Sequence, residues 1–306
     1  MSAQTSPHSQ KIKKELTFPT KPLDRFWHID GVELEANSVM LMNAETGHVI
    51  YEKNSDKALP TASMSKMMTE LLVLEAIASG TIDWDSEVEI SDYAYHISHQ
   101  PGFASVDLSK DTSYTVRELF EAMAIHSANG AAIALAETVS NSEKLFVAKM
   151  NERAAQLDLR DSSFVNSTGL DNKDLDEYYS VGNVEDANKM SAHDLAWLAK
   201  YLVDTFPGLL QVIEQPSYQA NGHSYPNTNW MLDGEFAFDG VDGLKTGYTD
   251  IAGYGFTGTV ERDGVRLISV VMGTSSMTER FTETTELYEE AFDWDDKDNK
   301  EKHNAT

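Results

Sequence analysis

Ser63 and Lys66 lie three positions apart at the start of an apolar, helix-like segment. Residues at i and i+3 share one face of a helix, with Cβ atoms about 5–6 Å apart. A serine hydroxyl is a weak nucleophile and needs a base, which a lysine supplies when burial or a second cation lowers its pKa. Free N–H groups at a helix start could also stabilise an oxyanion. Because Ser-x-x-Lys is common by chance, it indicates acyl transfer only together with other motifs.

Two further motifs carry side chains that suit a peptide-binding cleft. Ser127 and Asn129 follow a predicted helix, where a hydroxyl and an amide could point into one cleft and hold a substrate amide. Lys245-Thr-Gly247 begins a β-prone run, where a strand edge can bind an extended peptide and Gly lets its backbone approach. Alone, the Ser-x-Asn motif also fits a helix cap and the Lys-Thr-Gly motif a surface strand. Together, in this order and context, the three motifs predict a serine acyl-transfer site.

The hydrophobic pattern predicts the elements that position these motifs. An apolar face runs through 63–78, and Thr115 with Glu118 has the spacing of a capping box. Further helical patterns cover 130–137, 141–157, 191–202 and about 280–292. Strand patterns lie near both ends of the chain, at 39–42, 48–51, 243–249, 254–261 and 265–272.

This order of elements predicts an α+β fold in which strands from distant ends of the chain share one antiparallel sheet. Helices flank that sheet, and a mainly helical subdomain completes the fold. We expect a flexible N-terminal arm at 1–30 and a catalytic domain at 31–292, with the helical lobe inserted at about 80–190. A charged C-terminal tail is expected at 293–306.

Composition excludes several classes of function. The chain of 306 residues is 41% hydrophobic, which is enough for a sizeable core. Its 50 acidic against 24 basic residues give a formal net charge of −26, which disfavours nucleic acid as a partner. The absence of cysteine removes thiolate chemistry and Cys-ligated zinc. His96 and His99 have the spacing of two metal ligands, but no carboxylate or third His follows at a suitable spacing. We therefore expect no metal, and the sequence has no apolar run long enough to span a membrane.

The chain resembles the low-molecular-mass penicillin-binding proteins, the serine D-alanyl-D-alanine carboxypeptidases of the Gram-positive type. The resemblance covers about 35–292 and rests on the three motifs and on the segments Leu59–Thr69, Phe164–Leu170 and Val241–Gly253. It implies the penicillin-binding protein or β-lactamase-like transpeptidase fold and no cofactor. It also implies removal of the terminal D-Ala from peptidoglycan stem pentapeptides through an acyl-enzyme that β-lactam antibiotics inhibit.

The resemblance implies catalytic roles for four matching residues. Ser63 would attack the carbonyl of the penultimate D-Ala, and Lys66 would take its proton. Ser127 would relay a proton to the leaving amine, while Asn129 would position Lys66 and the substrate amide.

The resemblance also implies a substrate-binding set. Lys245 and Thr246 would hold the terminal carboxylate, Gly247 would admit the substrate backbone, and Arg280 would be a further carboxylate contact. The backbone N–H groups of Ser63 and Tyr248 would form the oxyanion hole.

Two alternatives remain open, and the sequence departs from the family at the position after the second motif. A serine β-lactamase is disfavoured because the sequence has no Glu-x-x-Leu-Asn, the motif that carries the deacylating Glu of class A enzymes. A non-catalytic module that senses cell-wall peptides or β-lactams is disfavoured by the intact motifs. Gly130 stands where many relatives have an acidic residue, and we expect this change to be tolerated.

The implied substrate lies outside the cytoplasmic membrane, so we expect an exported monomer at the extracellular face of that membrane or in the cell wall. We expect the sequence given to lack the signal peptide, the membrane anchor and the C-terminal β-rich domain of this family. The resemblance further implies a role in peptidoglycan biosynthesis and cell shape.

Overall fold

The computed structural model describes residues 28–220 and 222–304, with side chains described as far as Asp293. Almost all of the predicted N-terminal arm at 1–30 lies outside the described residues. In the described part, the strands are β1 (Ser38–Asn43), β2 (Val49–Lys53), β3 (Leu59–Pro60), β4 (Glu87–Val88), β5 (Tyr114–Thr115), β6 (Lys189–Met190), β7 (Ser217–Ala220), β8 (His223–Pro226), β9 (Val241–Thr249), β10 (Gly253–Arg262) and β11 (Val265–Thr274). The helices are α1 (Lys66–Ala78), α2 (Asp92–Ser98), α3 (Val116–His126), α4 (Asn129–Ser140), α5 (Glu143–Gln156), α6 (Ala192–Thr205), α7 (Gly208–Ile213) and α8 (Glu279–Asn304).

A five-stranded antiparallel sheet in the order β2-β1-β11-β10-β9 joins both ends of the chain. Val39 of β1 pairs with Val271 of β11, so the first and last parts of the fold meet inside one sheet. The predictions of a shared sheet and of an α+β fold are confirmed. Short two-stranded sheets pair β3 with β6, β4 with β5, and β7 with β8.

Alternate residues of the sheet pack against opposite layers of helix. Met40 and Val270 face the larger apolar core, which contains buried residues of α1, α3, α4, α5 and α6. Val39 and Val271 face a smaller core closed by α8. Successive strand side chains point to opposite faces, so the two central strands β1 and β11 are apolar on both sides.

The helical part of the molecule packs around α4, in which most residues are buried. Close approach of α2 to α4 requires Gly130, because a Cβ there would lie 2.7 Å from Ser98 Cβ and 2.8 Å from the Ala94 carbonyl oxygen. The capping box predicted for Thr115 and Glu118 is present at the start of α3.

Two helices differ from their predicted bounds. The helix predicted from Ser63 begins as a 3-10 turn, Ala62–Ser65, and α1 starts at Lys66. The last helix, predicted to end near Phe292, continues to Asn304, since the intervening residues include no Gly or Pro to stop it. Helix α7 and the β7–β8 hairpin were not predicted. Among the described residues, no helix combines the length and the hydropathy needed to cross a membrane.

Candidate active site

Ser63 and Lys66 are held in contact by the change from 3-10 turn to α-helix. Lys66 Nζ lies 2.9 Å from Ser63 Oγ, 2.6 Å from Asn129 Oδ1 and 2.7 Å from the Thr168 carbonyl oxygen. The Lys66 side chain is fully buried. A neutral amine has two N–H donors and one lone pair, so these three neighbours match its bonding capacity when the lone pair faces Ser63 Oγ.

The electrostatics of the site favour that neutral amine. Burial and, secondarily, the positive charge of Lys245 lower the pKa of Lys66 well below its usual value, while Glu70 acts in the opposite direction. Burial also lowers the pKa of Lys245 to about 8, a change opposed by Glu70 and assisted by Arg280. Burial raises the pKa of Glu70 to about 7 against the pull of both lysines. The same buried environment thus makes Lys66 the candidate base and Lys245 the candidate cation.

The second motif lies at the junction of α3 and α4. Ser127 ends α3 in the left-handed conformation, with φ 64°, and Asn129 is the first residue of α4. This turn places Asn129 against Lys66, as described above. The Ser127 hydroxyl is buried and has no hydrogen-bond partner within the described part of the chain. This hydroxyl is therefore available to form a hydrogen bond with a ligand in the cleft.

The third motif lies on the edge strand β9, next to the turn that carries Ser63. A Cβ at Gly247 would come within 2.7 Å of the Thr61 carbonyl oxygen, so only glycine allows this approach. Thr246 Oγ1 donates a hydrogen bond to Thr228 Oγ1 at 2.7 Å. Tyr248 is 47% exposed, and its ring stacks on Tyr254 at 4.1 Å between centroids.

Arg280 links α8 to this strand. Its Nη1 donates to the carbonyl oxygens of Gly247 at 3.2 Å and Gly255 at 3.4 Å. Burial lowers its pKa to about 10, so it remains a cation at neutral pH. Its buried Nε has no partner among the described residues. Arg280 thus supplies positive charge beside the third motif.

A cleft of about 480 Å³ collects most of the predicted site residues. Those that line it are Ser63, Ser127, Asn129, Thr246, Gly247, Tyr248 and Arg280. Lys66 and Lys245 are buried, and Lys66 reaches the cleft through Ser63 and Asn129. No group of three or more His, Cys, Asp or Glu in the described residues is arranged to hold a metal ion.

Sequence reasoning missed several groups that support the site. Glu70 lies four residues after Lys66, a spacing that places both on one helix face and was the available signal. Asn188 anchors the segment beneath the nucleophile, since its Nδ2 donates to Ser65 Oγ and its Oδ1 accepts from the Val165 N–H. Thr228 arrives from the unpredicted β7–β8 region and has no signal in the sequence.

Comparison with known proteins identifies relatives. A sequence model of the peptidase family described as D-alanyl-D-alanine carboxypeptidase matches residues 26–276. The chain is 35% identical to D-alanyl-D-alanine carboxypeptidase DacF of Bacillus subtilis, covering 84% of this chain and 62% of the relative. It is 30% identical to DacA of Escherichia coli, covering 85% and 61%. The chain thus spans less than two thirds of the length of these relatives.

Solved structures agree. A peptidoglycan synthesis regulatory factor from Streptococcus pneumoniae aligns with a TM-score of 0.82 and 36% identity, over 85% of this chain and 74% of that one. Penicillin-binding protein D2 of Listeria monocytogenes, in its cefotaxime-bound form, aligns with a TM-score of 0.74 and 32% identity, over 86% and 100%. The fold of the chain is therefore that of the penicillin-binding proteins.

Proposed function

The chain belongs to the D-alanyl-D-alanine carboxypeptidase family, and we propose on that premise that it removes the terminal D-Ala from peptidoglycan stem pentapeptides through an acyl-enzyme on Ser63. The observation that carries the proposal is the buried Lys66 Nζ, 2.9 Å from Ser63 Oγ, with acceptors for both of its other N–H bonds. That geometry directs the amine lone pair at the serine proton.

In the acylation step, Ser63 Oγ bonds to the carbonyl carbon of the penultimate D-Ala while Lys66 accepts the hydroxyl proton. The resulting oxyanion is placed near the N–H groups of Ser63 and Tyr248. The C–N bond then breaks, and the leaving D-Ala amine gains a proton by way of Ser127. Water later cleaves the ester and restores Ser63.

Positive charge on one side of the cleft selects a substrate that ends in a carboxylate. Lys245, with a pKa of about 8, is mostly protonated at pH 7, and Arg280 is a full cation. Thr246 offers a hydroxyl beside them. A terminal D-Ala carboxylate fits this set, and so does the carboxylate of a β-lactam, which explains why such drugs would acylate Ser63 as covalent inhibitors. We further propose that the protein acts as a monomer outside the cytoplasmic membrane.

The test is the intact mass of the protein after brief exposure to benzylpenicillin, followed over hours, together with D-Ala release from a peptide ending in D-Ala-D-Ala. The expected result is a stable adduct of one drug mass and measurable D-Ala release. Both are lost in Ser63→Ala and kept in Ser79→Ala, a control at the other end of α1. A short-lived adduct with hydrolysed drug would indicate a β-lactamase. Peptide binding without any adduct would indicate a sensing module.

A further inference from the structure

A buried carboxylate outside the cleft contacts the segment that holds Lys66. Glu143 is the first residue of α5, is 4% exposed and does not line the cleft. Its Oε1 accepts hydrogen bonds from the Ser167 N–H at 3.0 Å and from Ser167 Oγ at 2.6 Å. Both donors belong to Ser167, so one carboxylate oxygen holds both the backbone and the side chain of that residue.

The Ser167–Thr168 peptide is clamped between α5 and α1. The Ser167 carbonyl oxygen accepts from Thr69 Oγ1 at 2.8 Å, and the next carbonyl oxygen, of Thr168, accepts from Lys66 Nζ at 2.7 Å. Thr69 and Lys66 lie almost one turn apart on α1. A displacement at Ser167 would therefore move the Thr168 carbonyl oxygen directly.

The anchor is an ionisable carboxyl group. Hydrogen bonds to a carboxylate are about twice as strong as those between neutral groups, but burying the charge is costly unless donors satisfy it. Burial raises the pKa of Glu143, and the donors of Ser167 oppose that rise. The titratable groups facing it are Tyr93 of α2, whose hydroxyl opposes the rise less than Ser167 does, and Glu137 of α4, whose charge adds to it; neither supplies a positive charge. Ser167 is therefore its main source of stabilisation.

We propose that Glu143 is a positioning residue for the base: by fixing Ser167, it keeps the Thr168 carbonyl oxygen where it orients the Lys66 amine toward Ser63. The inference rests on the proposed function. Without this anchor, one of the two acceptors that orient the neutral amine shifts, and acylation slows. The protonated amine loses the same acceptor, so the pKa of Lys66 falls. The charged groups that face Lys66, Glu70 on its own helix and Lys245 on β9, are unchanged by a substitution at Glu143.

The experiment compares Glu143→Ala, Glu143→Gln and Ser142→Ala. Ser142 caps α5 through the Leu145 N–H, so its loss weakens the same helix without touching Ser167. The readouts are the second-order rate constant of acylation by benzylpenicillin across pH, kcat and KM for D-Ala release, and the thermal unfolding midpoint. Glu143→Ala is expected to lose about tenfold in acylation and kcat with little change in KM. The acid limb of its pH profile should move to lower pH.

Glu143→Gln keeps an oxygen that can accept from Ser167 and should recover most of the rate. Ser142→Ala should keep the rate and the profile of the wild-type protein despite a lower unfolding midpoint. An unchanged rate and profile in folded Glu143→Ala, or equal losses in Ser142→Ala, would overturn the proposal. If Glu143→Ala does not fold, Ser167→Ala, which removes the 2.6 Å donor, decides by the same readouts. A wild-type protein that forms no adduct contradicts the proposed function instead.

Discussion

Glu70 affects the protonation of both buried lysines beneath the cleft, Lys66 and Lys245. Its carboxylate raises the pKa of Lys66 and of Lys245, whereas burial lowers both, assisted by the charge of Lys245 at Lys66 and by that of Arg280 at Lys245. Acylation needs Lys66 neutral and benefits from Lys245 protonated, so the rate should rise and then fall as pH increases. Glu70 therefore sets where on the pH scale both conditions hold.

Replacement of Glu70 by Gln removes that carboxylate while keeping a similar shape. The pKa of both lysines should fall, since an opposite charge nearby favours the protonated amine. The alkaline limb, from Lys245 near 8, should move to lower pH, because Glu70 with a pKa of about 7 is largely a carboxylate there. The acid limb, from Lys66, should move less wherever it lies below pH 7, since Glu70 is then mostly protonated. The measurement is the acylation rate constant between pH 5 and 10. Glu75→Gln, on the same helix but paired with Arg153, should leave the profile in place.

Ser127 combines a left-handed backbone with the hydroxyl assigned to proton relay. Ser127→Gly should relieve the conformational strain and raise the free energy of unfolding by up to about 1 kcal/mol. It should also slow D-Ala release by about a hundredfold or more, because the relay group is lost. Asn141→Gly, at the equivalent left-handed position after α4, is the control and should keep full activity. Denaturant unfolding and a D-Ala assay test both effects. Full activity in Ser127→Gly would refute the relay.

At the scale of elements, the contact between α2 and α4 depends on one missing side chain. Gly130→Ala should lower the free energy of unfolding by about 1–3 kcal/mol, because its Cβ would meet Ser98 and the Ala94 carbonyl oxygen below 3 Å. Gly208→Ala is the matched control, since Gly208 starts α7 with open space around it. That change should be neutral or slightly stabilising. Urea unfolding compares them, and an equal effect of both substitutions would contradict the packing argument.

Elements whose signals are local could be predicted from the sequence. The capping box of Thr115 and the apolar face of α1 depend on residues within a few positions of each other, and both are present. The 3-10 turn that contains Ser63 could not be predicted from such local signals. Its shape depends on Gly169, whose Cβ would overlap the Ala62 carbonyl oxygen, more than a hundred residues away in sequence.

The same distinction applies to the candidate site. Ser63 and Lys66 are near neighbours in sequence, so their contact follows from helical spacing. The contact of Lys66 with Thr168 spans 102 residues, and Asn188 reaches Ser65 across 123. Such contacts form only when the polar segment beneath the nucleophile is folded against α1. A pattern of residue types carries no signal for that pairing.

At the scale of the whole molecule, the sheet makes the site depend on both ends of the chain. The nucleophile turn follows β2 and β3, whereas Lys245 and Gly247 lie on β9 at the opposite edge of the sheet from β2. Pairing of β1 with β11 and the packing of the Ser63 turn against β9 bring these parts together. Loss of the central pairing would therefore separate the nucleophile from the third motif.

The net charge of −26 acts on this closed fold as a whole. Self-repulsion of a charge far from zero destabilises a compact chain, and salt screens exposed charges with a Debye length that falls from about 30 Å at 0.01 M to about 3 Å at 1 M. The thermal unfolding midpoint should therefore rise by several degrees between 0.01 and 0.5 M NaCl at pH 7.5. Scanning calorimetry measures it, with KCl at equal ionic strength as the control for a specific sodium effect. A midpoint that falls with either salt would mean that attractive surface ion pairs outweigh the repulsion.

Burial separates Lys66 and Lys245 from the screening solvent. The acylation rate constant, which depends on the charges of these two lysines, should therefore be less sensitive to salt than the stability of the fold.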